Sequence, residues 1–72
     1  MNKEIQVLNL VKKVFPNATV RKTDCEYIYS FENHHTAWPC DLIEMYSGDK
    51  LIRQARNIVH ELFKLKIDSE LS

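Results

Sequence analysis

The sequence predicts a small α+β fold in the order α-β-β-(β)-α: a two- to three-stranded antiparallel sheet with two helices packed on one face. Apolar residues recur at the helical period near both ends of the chain, and apolar and polar residues alternate strictly between them. The 72 residues suffice for a single domain with a core near the lower size limit. Because such short chains often need a further stabilising contact, a metal, a disulfide or a homodimer is expected to supplement the core.

The first helix is predicted over residues 3–15, followed by a short strand over residues 18–22. The helix places its apolar residues on one broad face: Val7, Leu8, Leu10, Val11, Val14 and Phe15. Pro16 should end the helix, because the residue before a proline disfavours the helical conformation.

The second strand, residues 25–32, has the clearest alternation in the chain. One face carries Cys25, Tyr27, Tyr29 and Phe31, and the other carries Glu26, Ile28, Ser30 and Glu32. Aromatic and β-branched residues favour strands. We expect the aromatic face to pack beneath the helices and the glutamates to face water.

The second half of the chain contains one strong helical pattern. Residues 33–41 show no periodicity, which predicts a loop. Residues 42–46 fit either a short third strand, which we favour, or one helical turn capped by Asp41 with Glu44 at the capping-box spacing. The last helix, residues 49–66, is predicted from a continuous apolar stripe: Leu51, Ile52, Ala55, Ile58, Val59, Leu62, Phe63 and Leu65. The tail, residues 67–72, is expected to fray.

The charges balance overall but are distributed unevenly. Residues 24–49 contain six acidic residues and no lysine or arginine, whereas residues 1–23 and 50–66 each carry a net charge of +4. A neutral chain is a poor candidate for non-specific nucleic-acid binding, which depends on neutralising phosphates. No secretory signal is visible and no apolar run approaches the ~20 residues of a membrane span, so a cytoplasmic location with reduced thiols is expected.

Four side chains of the types that bind zinc lie within sixteen residues: Cys25, His34, His35 and Cys40. An extended strand over residues 26–32 would separate Cys25 from His34 by about 27–30 Å. Two arrangements remain: a returning third strand that brings Cys40 or Asp41 beside Cys25, or a loop site of the histidines and Cys40, completed by an acid or His60. The alternative to zinc is two buried thiols and two surface imidazoles.

A basic stripe is predicted on the outer face of the last helix, at positions that lie within ~80° of one another at ~100° per residue: Arg53, Arg56, His60 and Lys64. Such a stripe can bind a phosphate backbone or an acidic protein groove, although most stripes of this kind are solvated helix faces. Trp38, in the acidic stretch, is either an exposed anchor for a partner or a buried residue that closes the core.

Catalytic motifs are weak in this chain, which predicts a protein that is not an enzyme. Asn33, His34 and His35, followed by Asn57 and His60, are similar to the motif of HNH nucleases. That family places its asparagine further from the last histidine and often adds zinc-binding cysteine pairs, which this sequence lacks. A metal-dependent nuclease of this type is therefore a remote alternative.

In general character the chain resembles the small single-domain inhibitors encoded by phages, anti-CRISPR proteins among them. The similarity lies in its length, its composition rich in lysine, asparagine and isoleucine, and its lack of catalytic motifs. The resemblance implies a protein that blocks a partner, such as a nucleic-acid-processing effector, by stoichiometric contact. The leading hypothesis is thus a protein-interaction module, with a nucleic-acid-binding regulator that uses the basic stripe as the alternative.

Overall fold

The computed structural model describes residues 2–71. In chain order its elements are α1 (Lys3–Val11), β1 (Thr19–Lys22), β2 (Glu26–Phe31), β3 (His34–Pro39), α2 (Cys40–Glu44) and α3 (Asp49–Leu71). The strands form one antiparallel sheet in the order β1-β2-β3. Helices α1 and α3 pack against each other and against the sheet. The predicted α+β fold class is confirmed, with α2 as an additional short helix.

Helix α1 ends at Val11, earlier than the predicted residue 15. The chain then turns, and the backbone N–H groups of Val14 and Phe15 both donate to the Val11 carbonyl oxygen, at 3.0 and 2.9 Å. This turn lays the Phe15 ring on Phe31 of β2, with the ring centroids 4.2 Å apart. Because Pro16 keeps Phe15 out of the helical conformation, the turn is the way this side chain still reaches the core.

Strand β2 supplies the centre of the core, as its alternation predicted. Tyr27, Tyr29 and Phe31 are buried against the helices, whereas Ile28 and Ser30 on the opposite face are only half-buried. The remaining core side chains come from both long helices and the segments between them: Val7, Val11, Phe15, Ala18, Cys40, Ile43, Leu51, Ala55, Ile58 and Leu62.

The prediction of a loop over residues 33–41 was wrong, because His34–Pro39 forms β3 and pairs with β2 along its whole length. The sequence does not predict this strand, because both of its faces mix polar and apolar residues and no alternation results. The turn before it, Glu32–Asn33, is also cryptic. Glu32 has φ 56°, the left-handed region that usually belongs to glycine at this position of a two-residue hairpin turn.

The favoured third strand over residues 42–46 was also wrong, and the helical alternative holds: α2 spans Cys40–Glu44 and buries Ile43. Pro39, rather than Asp41, precedes its first residue. Helix α3 runs to Leu71, so the predicted end at residue 66 was wrong and the fraying of residues 67–71 is not observed. No glycine or proline follows Lys66 to stop the helix. Ser72 lies outside the described residues.

The two edges of the sheet are strands β1 and β3. Strand β1 carries the exposed side chains of Arg21 and Lys22, and β3 finishes with Pro39, which has no N–H to donate. Along residues 2–71, no helix is both long enough and apolar enough to cross a bilayer.

Candidate interaction site

Trp38 lines a cleft between β3 and α3. Its ring packs against the core and is half-buried, and its Nε1–H donates to Thr36 Oγ1 at 3.1 Å, which holds the indole in place. The cleft has a volume of about 270 Å³ and is lined by Trp38, Asn57, His60, Glu61 and Lys64. Three residues predicted separately from the sequence, Trp38, His60 and Lys64, therefore lie together. We call this the tryptophan cleft.

The tryptophan cleft mixes chemical types. An aromatic face is bordered by the exposed side chains of His60, Glu61 and Lys64, which offer an imidazole, a carboxylate and an ammonium group. An aromatic residue that is held rigidly and is partly accessible is typical of anchor positions in protein interfaces. The carboxylate of Glu61 would repel a phosphate placed in the cleft, and the ammonium group of Lys64 would attract one.

The other members of the basic stripe lie outside the tryptophan cleft. Arg53 lines a separate depression near Tyr46 and Lys50, and Arg56 faces α1. All four stripe residues, Arg53, Arg56, His60 and Lys64, are exposed. The structure thus brings Trp38 together with one half of the stripe and leaves the two arginines on neighbouring surfaces.

An apolar groove between α1 and α3 was not foreseen from the sequence. It has a volume of about 270 Å³, and its lining is Leu10, Lys13, Val14, Ile52, Ala55, Arg56, Val59 and His60. Val14 and Ile52, which the periodicity assigned to the buried stripes, are 55% and 46% exposed. The predicted stripe of the last helix spans more of the helix circumference than one packing face can cover, and that excess width was the available signal.

The β2–β3 register separates the four residues predicted to bind zinc. Cys25 and Cys40 are adjacent at one end of the ladder, where the Cys40 N–H donates to the Cys25 carbonyl oxygen at 2.9 Å. His34 and His35 lie at the other end of β3, and His35 Nδ1 is 2.7 Å from Ser30 Oγ. Burial raises the pKa of the Cys40 thiol. Within residues 2–71, no three His, Cys, Asp or Glu side chains are grouped so that they could hold a metal ion.

The residues that are similar to an HNH motif are also spread apart. Asn33 lies in the β2–β3 turn, whereas Asn57 and His60 line the tryptophan cleft beside Trp38. His34 and Trp38 are four residues apart on β3, which is about 13 Å of extended chain.

Two buried tyrosines tie the sheet to the helices. Tyr27 Oη–H donates to Glu44 Oε1 of α2 at 2.7 Å, and Tyr29 Oη–H donates to the Glu4 carbonyl oxygen of α1 at 3.1 Å. The bond to Glu44, with burial, raises the pKa of Tyr27, and burial raises the pKa of Tyr29. Both phenols therefore stay protonated in the folded chain above the usual tyrosine range.

Comparisons of this chain with protein-family models, with curated proteins and with solved structures give no match.

Proposed function

We propose that the chain is a non-catalytic protein-interaction module that acts by occupying a partner's surface through the tryptophan cleft. One observation carries the proposal: Trp38 of β3 lines a single cleft together with His60 and Lys64 of α3. An aromatic anchor surrounded by polar and charged groups is the usual composition of an interface centre and its rim.

The chemistry of the cleft suggests the partner's chemistry. A partner that inserts an apolar side chain against Trp38 and presents a carboxylate to Lys64 would match the lining, and the exposed arginines would steer an acidic surface toward it. Such contact blocks whatever the partner does with that surface. This fits an inhibitor of the anti-CRISPR type, with a nucleic-acid-processing protein as the blocked effector and the cytoplasm as the compartment.

The proposal is tested by comparing the proteins retained by three immobilised chains: the unmodified chain, Lys64→Glu and Lys12→Glu. Lys64 lines the tryptophan cleft, whereas Lys12 is an exposed lysine just after α1 that does not line the cleft. We expect at least one protein to bind the unmodified chain and Lys12→Glu in one-to-one stoichiometry and to be lost with Lys64→Glu. Identical sets of proteins on all three chains would contradict the proposal.

The alternative, a nucleic-acid-binding regulator, is favoured by one observation: Arg53, Arg56 and Lys64 are all exposed on α3. Fluorescence anisotropy with labelled duplex and single-stranded oligonucleotides at low salt separates the two functions. Phosphate binding would weaken steeply with salt, with a logarithmic slope of about −0.9 per phosphate contacted in B-DNA. The leading proposal expects no binding at low salt.

The remote alternative, a metal-dependent nuclease, is tested by a plasmid-nicking assay. Plasmid DNA would have to be nicked when divalent metal is added, and His34→Ala or His60→Ala would have to abolish the nicking. A structural zinc ion also remains a prediction, with Cys25 and Cys40 as the two adjacent thiols that could contribute ligands.

A further inference from the structure

Helix α3 carries a row of residues, here called the seam, that its own fold covers only in part. The seam consists of Arg56, Val59, Phe63, Ile67 and Glu70. At ~100° per residue these five positions lie within about 80° of one another, on a different side of the helix from the core residues. Phe63 is 52% exposed and Ile67 is 37% exposed, and Val59 is half-buried. An exposed row of large apolar side chains in a chain of this size marks an interaction surface.

The seam is symmetric about Phe63. Val59 and Ile67 lie four residues before and after it, and Arg56 and Glu70 lie seven residues before and after it. A two-fold contact requires a surface that is complementary to itself, so that position i meets position j and j meets i. If two α3 helices pair antiparallel about an axis at Phe63, Val59 meets the partner's Ile67 and Arg56 meets the partner's Glu70.

We propose that this chain forms a two-fold symmetric homodimer through antiparallel pairing of the α3 seams, with Phe63 on the axis. In this arrangement each apolar position faces an apolar position, and each guanidinium group faces a carboxylate. The seam extends over fifteen residues of α3, and its first and last positions are about 21 Å apart along the helix. The dimer does not depend on the proposed function, although His60 lines both the tryptophan cleft and the apolar groove beside the seam.

The apolar groove beside the seam favours a second copy of this chain over an unrelated occupant. Its lining carries the cationic side chains of Lys13 and Arg56 and no carboxylate among the described residues. The end of α3 that would lie along it in the dimer carries the carboxylate of Glu70, which faces Arg56, together with the apolar Ile67. Apolar and electrostatic complementarity therefore point to the same occupant.

The pairing leaves the tryptophan cleft accessible. Four residues of α3 line the cleft: Asn57, Glu61 and Lys64 lie on the flank of the helix away from the seam, and His60 lies between the cleft and the apolar groove. A dimer would therefore present two clefts, and a partner with two matching surfaces would bind with increased avidity.

Sedimentation velocity of the full chain, from micromolar to millimolar concentration, tests the dimer. We expect reversible dimerisation, and we expect Phe63→Glu to raise the dissociation constant at least about 30-fold, because both aromatic side chains at the centre are lost and two carboxylates replace them. Met45→Glu is the matched control: Met45 is an exposed apolar residue, 67% exposed, outside the seam, and its substitution should leave the dimer unchanged. Circular dichroism establishes that each variant is folded.

Charge reversal tests the register of the pairing. Arg56→Glu and Glu70→Arg should each weaken dimerisation at least about tenfold by placing like charges opposite each other. The double variant should restore it, because the new glutamate then faces the partner's new arginine. Both positions are exposed, so these substitutions leave the core intact. They therefore still test the dimer if Phe63→Glu does not fold.

Three results would overturn the proposal. The first is a chain that stays monomeric up to millimolar concentration, which would leave the seam to a helix of another protein. The second is a dimer that Phe63→Glu and both charge reversals leave intact. The third is a dimer that Met45→Glu disrupts as strongly as Phe63→Glu does.

Discussion

Replacing Tyr29 by phenylalanine should destabilise the chain at neutral pH and stop doing so in alkali. Tyr29 is completely buried, and its hydroxyl donates to the Glu4 carbonyl oxygen at 3.1 Å. Phenylalanine keeps the ring and removes one neutral hydrogen bond, which contributes about 1 kcal/mol. For a domain of this size the melting temperature should fall by roughly 4–8 °C near neutral pH.

The alkaline effect has the opposite sign. Burial raises the pKa of Tyr29 in the folded chain, whereas the unfolded chain releases the phenol proton at a pKa of about 10. Stability that depends on the protonated phenol is fully present below that pKa and is lost as the pH rises toward the folded pKa. The loss is about 1.4 kcal/mol per pH unit above 10, and Tyr29→Phe avoids it. By about pH 11 the variant should be as stable as the unmodified chain, or slightly more stable.

Urea unfolding followed by the fluorescence of Trp38 measures this difference at both pH values. Ile58→Val is the matched control, because Ile58 is also completely buried and the substitution costs about 0.5–1.5 kcal/mol without removing a titrating group. Its deficit should be the same at both pH values. A Tyr29→Phe deficit that stays as constant as that of Ile58→Val would refute the reasoning.

Three further predictions concern the core, the hairpin turn and the metal. Ile58→Ala should cost about 2–5 kcal/mol and lower the melting temperature measured by circular dichroism by at least about 8 °C; an unchanged melting temperature would contradict this. Glu32→Gly should stabilise the chain by about 0.5–1 kcal/mol in urea unfolding, because glycine relieves the positive φ of Glu32 and the exposed ion pair to Lys66 contributes little; a lower midpoint would contradict this. If zinc binds, elemental analysis of untagged protein should find about one ion per chain or per dimer, and Cys25→Ser and Cys40→Ser should both lower zinc content and melting temperature; metal-free protein with unchanged melting in both variants would end the idea.

The elements that the sequence predicts well are those in which burial determines the pattern. In β2 every second residue enters the core, and in α3 Leu51, Ala55, Ile58 and Leu62 do so at the helical period. Their hydrophobic pattern therefore records the structure directly.

The elements that the sequence misses are determined by contacts distant in the chain. Strand β3 is held by its hydrogen bonds to β2 and by α3 above it, so its own residues need no regular alternation. Its turn places a glutamate where glycine is usual, which removes the local signal for a hairpin. Because β3 already ends at Pro39, the next residues form α2. The wrong prediction of a loop over residues 33–41 therefore led to the wrong prediction of a strand over residues 42–46.

The candidate site was predictable by residue but not by arrangement. The sequence singles out Trp38 by its chemistry and His60 and Lys64 by their helical spacing. Their meeting in one cleft depends on β3 running beneath α3, which the loop prediction did not allow. The same register separates His34 and His35 from the two cysteines. This is the first of the two arrangements that the sequence left open, in which a returning strand brings Cys40 beside Cys25 without the histidines.

The exposed margins of the sheet restrict how this chain can meet other molecules. One margin carries Arg21 and Lys22, so an incoming basic strand would be repelled, and the other ends at Pro39, which interrupts the run of main-chain donors. Addition of a basic strand at β1, and pairing of a further strand along the whole of β3, are both disfavoured. If the proposed interactions hold, they use side chains on α3 and in the tryptophan cleft, where single substitutions would change specificity without disturbing the hydrogen bonds of the sheet.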